Sequence, residues 1–99
     1  MLAWTRRRRS GTKRRMKDRI IARLTEAFAP TRLEVADESE LHVGHAGAAE
    51  GGHYRVLIVS AAFAGRSLVE RHRLVYDALA AEMRGGIHAL ALVTRAPGE

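Results

Sequence analysis

The sequence contains no cysteine, which excludes disulfides, thiolate metal sites and a cysteine nucleophile within this chain. It also lacks any apolar run approaching the roughly 20 residues that a membrane-spanning helix needs, so we expect a soluble, cytoplasmic protein. Neither a Gly-x-Ser-x-Gly nucleophile elbow nor a Gly-x-x-x-x-Gly-Lys phosphate loop is present. These absences predict that the protein is not an enzyme, and that any soft-metal site uses histidine or sulfur from a partner.

Positive charge is concentrated at the N-terminus. Residues 1–15 carry seven Lys and Arg residues, including Arg6, Arg7, Arg8 and Arg9, and no acidic residue. The rest of the chain holds ten Lys and Arg residues against all 11 Asp and Glu, a net charge of −1. We therefore expect 1–15 to be a disordered basic arm that contacts nucleic acid or another anionic surface, or is simply solvated. Because the amphipathic pattern begins at Met16, a native start at Met1 or at Met16 stays open.

The remaining chain has the length of one domain, which we place at residues 16–97. Its patterns predict a helix from Met16 that ends near Phe28, strands at 31–36, 54–60 and 87–94, and a long helix before the last strand. The β-branched run at 54–60 is expected to be the central strand. Three strands and two helices predict a two-layer α+β fold with the helices on one face of the sheet.

The long helix has legible start and stop signals. Ser67 and Glu70 have the spacing of a capping box, and Gly85-Gly86 suits a left-handed turn at the C-terminus. A stripe at three- and four-residue spacing predicts one buried face, made of Leu68, His72, Val75, Tyr76, Leu79 and Met83.

Histidine is the main soft-metal ligand type available, and three of the five histidines lie in the glycine-rich stretch 37–53, which we interpret as a long loop. His42 and His45 form a weak metal motif in that loop. His53 is expected to brace the loop, and His72 to be a core or interface residue. His88 opens the last strand just after Gly85-Gly86, which makes it the best single candidate for a ligand.

The chain resembles the BolA family over about residues 16–97. The matching pieces are Leu33-Glu34-Val35, Asp37-Glu38-Ser39, His53-Tyr54-Arg55-Val56, Val59-Ser60, Phe63-x-Gly65, Arg71-His72-Arg73-x-Val75-Tyr76 and Ile87-His88-Ala89-Leu90. The resemblance implies an α-β-β-α-α-β domain similar to the class II KH fold, with a short extra helical turn before the long helix.

The resemblance also implies a partner and a cofactor. BolA-like proteins pair with monothiol glutaredoxins and share a bridging [2Fe-2S] cluster, to which the glutaredoxin contributes a cysteine and a glutathione thiolate. On this chain the implied ligands are His88 and a loop histidine, His42 or His45. The function expected is an adaptor in iron-sulfur cluster trafficking or iron sensing. No cofactor is expected in the isolated protein, and whether it forms a homodimer stays open.

The rival interpretation is a DNA-binding transcriptional regulator. The resemblance supports it, with contacts expected from Arg71, His72 and Arg73 and from the basic arm at Arg6 to Arg9. The near-neutral body and the absence of a convincing Gly-x-x-Gly clamp weigh against recognition by the folded domain. We expect the arm to dominate any such binding, and we expect no membrane partner.

Overall fold

The computed structural model describes residues 15–39 and 52–99. The elements in order are α1 (Met16–Phe28), β1 (Arg32–Asp37), β2 (Gly52–Val59), a 3₁₀ turn (Ala61–Phe63), α2 (Leu68–Ala78), α3 (Ala80–Gly85) and β3 (Ile87–Arg95). Within the described residues, no helix is long and apolar enough to cross a membrane. The predicted mixed α+β class is confirmed, and the 3₁₀ turn supplies the additional helical turn before α2.

The sheet has the order β1-β2-β3, so β2 is the central strand as predicted. It pairs antiparallel with β1 and parallel with β3. A parallel pair requires a crossover connection, and here the segment containing α2 and α3 makes it. As a result, β2 and β3 begin at the same end of the sheet.

The helices cover one face of the sheet. Along β2, buried Val56 and Ile58 alternate with exposed Arg55 and half-buried Leu57, as expected for a strand with one covered face. The buried apolar core consists of Ile20, Leu24, Val35, Tyr54, Val56, Ile58, Phe63, Val75, Leu79, Ile87 and Ala96. The two-layer arrangement thus leaves the second face of the sheet accessible.

The capping box at the start of α2 is confirmed. The Ser67 hydroxyl accepts a hydrogen bond from the Glu70 backbone N–H at 3.1 Å, and the Glu70 carboxylate accepts one from the Ser67 N–H at 2.8 Å. The second bond is the main reason that the pKa of Glu70 is lowered. Two backbone donors that the helix itself cannot satisfy are thereby paired.

The single long helix that we predicted is wrong, because it is divided at Leu79 into α2 and α3. Part of its predicted buried stripe is also wrong: Leu68 is 63% exposed and Tyr76 is 39% exposed. Leu68 does lie on the same helical face as buried Val75, but in the first turn of α2, where the covering layer does not reach it. Periodicity identifies which face of a helix is apolar, but it does not show how much of that face the neighbouring layer covers.

Gly85 and Gly86 do not form the left-handed turn that we predicted. The Gly86 φ of 164° is extended backbone, and Gly85 is the last residue of α3, so neither adopts the left-handed conformation. A Cβ atom on Gly86 would lie 2.7 Å from the terminal methyl of Met16. The Gly86 backbone therefore lies beside the Met16 side chain at the start of α1, and a larger residue there would displace that flexible side chain.

Glu82 joins the helices through a buried charge. Its side chain is 1% exposed, and its Oε2 accepts hydrogen bonds from Arg19 Nη2 at 3.2 Å and Arg23 Nε at 3.3 Å. Both arginines remain partly exposed, so the guanidinium groups keep part of their hydration. This cluster ties α3 to α1.

The last residues fold back onto α2. The Glu99 carboxylate accepts two hydrogen bonds from Arg71, at 2.6 and 2.7 Å, and a third from the Ala96 N–H at 3.0 Å. Gly98, with a φ of 89°, provides the turn. The Arg71 hydrogen bonds are the main cause that lowers the pKa of Glu99 to about 2.

We expect Glu82→Gln to lower the free energy of unfolding by about 1 to 2 kcal/mol, because the neutral amide keeps the volume but weakens two charge-assisted hydrogen bonds. Urea denaturation followed by circular dichroism measures the change. Glu26→Gln, on an exposed position of α1, is the matched control and should have little effect. Equal stability of the two variants would contradict a stabilising role for the Glu82 cluster.

The Arg71–Glu99 pair predicts a pH dependence. The pKa of Glu99 is about 2 in the folded chain against an ordinary 4.5. Its contribution to stability is therefore present above about pH 4.5 and is lost as the pH falls towards 2. In thermal denaturation, the native chain should melt above Glu99→Gln at pH 7, and the two should converge near pH 2. A difference that is independent of pH would show that this ion pair does not form.

Candidate functional site

A one-residue bulge lies where β2 and β3 begin. Gly52 is opposite Ile87, but the next residue, His53, is already opposite Ala89, so His88 is the extra residue of β3. Ile87 is buried, whereas His88 and Ala89 are both exposed, which interrupts the alternation of the strand. Bulges of this kind change the direction of a side chain at the end of a ladder. The bulge leaves the His88 imidazole exposed at the rim of the sheet.

His53 lies beside His88. The centres of the two imidazole rings are 5.2 Å apart and the ring planes are inclined by 48°. The predicted loop ends earlier than we expected, because Gly52 and His53 already belong to β2. The predicted loop ligands His42 and His45 lie outside the described residues, so their assignment stays a prediction.

The backbone of His53 is held on both sides by the residues that follow β1. Its N–H donates to the Ser39 hydroxyl at 3.0 Å, and its carbonyl accepts from the Glu38 N–H at 2.7 Å. Ser39 is in turn positioned by Asp37, whose Oδ1 accepts the Ser39 N–H at 2.9 Å, an Asx turn. Ser39 also lowers the pKa of the Asp37 carboxyl through hydrogen bonding. The Asp37-Glu38-Ser39 segment thus anchors the start of β2.

Two glycines bring the strand ends together. The Gly52 N–H donates to the Gly86 carbonyl at 2.7 Å. A Cβ on Gly52 would lie 2.2 Å from the ring of Tyr54, so a larger residue there would displace the tyrosine. Burial, followed by the charge of Asp37, raises the pKa of the Tyr54 hydroxyl. Each glycine lies within two residues of one histidine, His53 or His88, so the close approach of the backbones positions both imidazoles.

A surface cavity of about 200 Å³ adjoins His53. Its lining residues are Glu38, His53, Tyr54, Ala89, Leu90 and Ala91. The Glu38 carboxylate is paired with Arg55, with Oε2 and Nε 3.0 Å apart. The described residues contain no group of three or more His, Cys, Asp or Glu that could hold a metal ion. The rim therefore offers two imidazoles, and a complete metal centre would need further ligands from the 40–51 segment, water or a partner.

The side chains of the Arg71-His72-Arg73 segment are less accessible for binding than the sequence indicates. The Arg71 side chain is 12% exposed and is occupied by Glu99, with a further contact of 3.4 Å to the Thr94 carbonyl. His72 is half-buried, and its buried Nε2 has no hydrogen-bond partner among the described residues. Arg73 is exposed. Arg6 to Arg9 lie outside the described residues, so nucleic-acid contacts stay a prediction.

Sequence reasoning missed the proximity of His53 to His88. One available signal was position: His53 directly precedes the predicted strand 54–60, and His88 lies at the start of the predicted strand 87–94. Neighbouring parallel strands begin at the same end of a sheet, so their first residues meet there. The sequence did not show that these two strands are parallel neighbours.

Comparisons with known proteins are consistent with this fold. The family model described as BolA-like protein matches residues 24–99. A protein from Sinorhizobium sp., "Uncharacterized protein in cobS 5'region", is 49% identical over 85% of this chain and 94% of its own length. "DNA-binding transcriptional regulator BolA" from Escherichia coli is 43% identical, over 80% of this chain and 73% of that protein.

One relative is much longer than this chain. "SufE-like protein 1, chloroplastic/mitochondrial" from Arabidopsis thaliana is 46% identical over 82% of this chain, which spans only 24% of that protein. Among solved structures, the BolA domain of SufE1 from Arabidopsis thaliana superimposes with a TM-score of 0.75 at 42% identity, covering 87% of this chain and 96% of that domain. The match to the family model, the sequence identities and the shared fold together show that this chain belongs to the BolA-like family.

Proposed function

We propose that this protein is a non-enzymatic adaptor, acting in the cytoplasm, that pairs with a monothiol glutaredoxin and co-ligates a bridging [2Fe-2S] cluster. The observation that carries the proposal is the exposed His88 imidazole on the bulge at the rim of the sheet. A ligand shared with a second protein must be accessible at a surface. His88 meets that requirement.

The residues present fit such a cluster. Imidazole nitrogen is an established ligand of one iron in a [2Fe-2S] centre, and this chain has no cysteine with which to replace it. When bound, the cluster supplies a transferable iron-sulfur unit, whose reduction potential imidazole ligands raise relative to thiolates. His88 would hold it from the sheet, and His42 or His45 from the loop.

The folded chain would hold the proposed cluster ligands in position. His88 directly follows Ile87, which is buried in the apolar core, so the ligand is attached to the folded core. The loop ligand, in contrast, belongs to a glycine-rich segment. One ligand on a strand and one in a glycine-rich part of the sequence would suit a site from which the cluster is passed on. Cluster trafficking is therefore favoured over electron transfer.

We expect His88→Ala to abolish or strongly change the visible absorption and circular dichroism of the complex, because a cluster ligand is removed. The measurement is anaerobic reconstitution with a monothiol glutaredoxin and glutathione. His72→Gln is the matched control and should give the native spectrum, since His72 lies half-buried on α2. Single His42→Ala and His45→Ala variants then identify the loop ligand. A native spectrum from His88→Ala would refute the assignment.

DNA binding is the second candidate function, favoured by the name of the Escherichia coli relative and by the basic arm. Within residues 15–39 and 52–99, Arg71 is bound to Glu99, and the exposed Arg32 and Arg55 are each paired with a carboxylate. The exposed cations without a carboxylate partner there are Arg15, Lys17, Arg66, Arg73, Arg84 and Arg95. Acidic residues balance the charge of residues 16–99, whereas residues 1–15 hold seven basic residues and no acidic one. On this distribution of charge, the arm would supply most of the affinity.

The salt dependence of DNA binding tests this arrangement. Replacing Arg6 to Arg9 by Gln should reduce the slope of log K against log salt by about 3 to 4, close to one unit for each phosphate that the arm no longer neutralises. Arg73→Gln should reduce it by about 1, and Arg71→Gln by much less, because its guanidinium is already occupied. Fluorescence anisotropy with a duplex provides the constants. An unchanged slope in the arm variant would show that the folded domain binds DNA.

A further inference from the structure

We propose that His53 and His88 together bind one divalent transition-metal ion, of the Zn²⁺ or Co²⁺ class, in the isolated chain. The site is a two-imidazole chelate at the common end of β2 and β3. It needs no glutaredoxin, no glutathione and no residue of the 40–51 segment. It shares His88 with the cluster proposed above but does not depend on that cluster.

The spacing of the rings is suitable for one shared ion. With Zn–N bonds of about 2.0 to 2.1 Å and a tetrahedral angle between two ligands, imidazole ring centres lie about 5 Å apart. The centres of His53 and His88 are 5.2 Å apart. This spacing is compatible with one ion shared by both rings without separation of the two strands.

Both ligands are attached to regular structure. The His53 backbone is held by the Ser39 hydroxyl and the Glu38 N–H, and His88 is the bulged residue of a strand paired with β2. Ligands that are positioned before binding lose little conformational entropy when the ion arrives, which favours affinity. An imidazole also has two nitrogens, so one can coordinate while the other keeps a hydrogen bond.

The surroundings leave room and do not repel a cation. The cavity beside His53 is bordered by Ala89 and Ala91, whose small side chains leave space for coordinated water. Its acidic residue, Glu38, is neutralised by Arg55, so the local charge is balanced. Two imidazoles with water in the remaining positions form an open, exchangeable site, in contrast to a closed structural zinc site.

The same geometry would also arise from ring packing alone, because a tilted aromatic pair has centres about 4.5 to 7 Å apart. The two explanations differ in what each ring contributes. If the pair is only packed, His88 can bind metal without His53. If the pair is a chelate, removing either ring removes most of the affinity.

The test uses the untagged full-length chain with His42→Ala and His45→Ala, so that the remaining histidines are His53, His72 and His88. Zn²⁺ is titrated by calorimetry, and Co²⁺ is followed by its visible absorption. We expect one ion per chain, and at least tenfold weaker binding in His53→Ala and in His88→Ala. His72→Gln is the matched control and should bind as the parent does.

A cysteine replacement adds a direct spectroscopic signature. His88→Cys should retain Co²⁺ binding and add a thiolate-to-cobalt charge-transfer band, which packing of rings does not produce. Circular dichroism of each metal-free variant checks folding, and His53→Gln replaces His53→Ala if the latter does not fold.

Three results would overturn the proposal: no saturable Zn²⁺ binding by the parent, parental affinity in the His53 variant, or no charge-transfer band in His88→Cys. Because no glutaredoxin is present, these results are independent of the cluster reconstitution. Loss of Zn²⁺ binding with a normal cluster, or the reverse, separates the two proposals.

Discussion

The parallel pairing of β2 with β3 is the interaction on which the other features of this molecule depend. It requires the crossover through α2 and α3, and it makes both strands begin at one end of the sheet. The one-residue bulge at that end leaves His88 exposed beside His53. Without the bulge the strand would keep its strict alternation, and His88 and Ala89 would not both be exposed.

Several charged residues of the folded part stabilise its own structure. Glu82 joins α3 to α1 through Arg19 and Arg23, and Glu99 joins the last turn to α2 through Arg71. Paired guanidinium groups are less available for phosphate, because binding would require breaking a charge-assisted hydrogen bond. The highest density of positive charge in the sequence is in the arm, while the rim of the sheet presents imidazoles. The proposed metal and nucleic-acid sites therefore lie on different parts of the chain.

The chemistry of the rim is compatible with the proposed partner. Two imidazoles and no cysteine could not complete the ligand set of an iron-sulfur cluster, so its thiolates would have to come from a second protein. A mononuclear ion needs fewer protein ligands, since water can occupy its remaining coordination positions. In the two proposals the same imidazole, His88, would be shared by a partner-dependent cluster and a partner-independent ion. This sharing would make occupancy of the rim sensitive to which metal species is available.

Local sequence by itself determined α1, the capping box at Ser67 and the central position of β2, because periodicity and capping act between residues close together in the chain. It also identified His88 as a residue at the start of a strand. Only the tertiary structure decided that His53 lies beside His88, since the two are 35 positions apart in sequence and meet through strand direction and register. The exposure of Leu68, the break at Leu79 and the contact of Gly86 with Met16 were likewise decided by packing between distant elements. Local patterns specify which face of an element is apolar, whereas the contacts made across the fold determine which side chains meet.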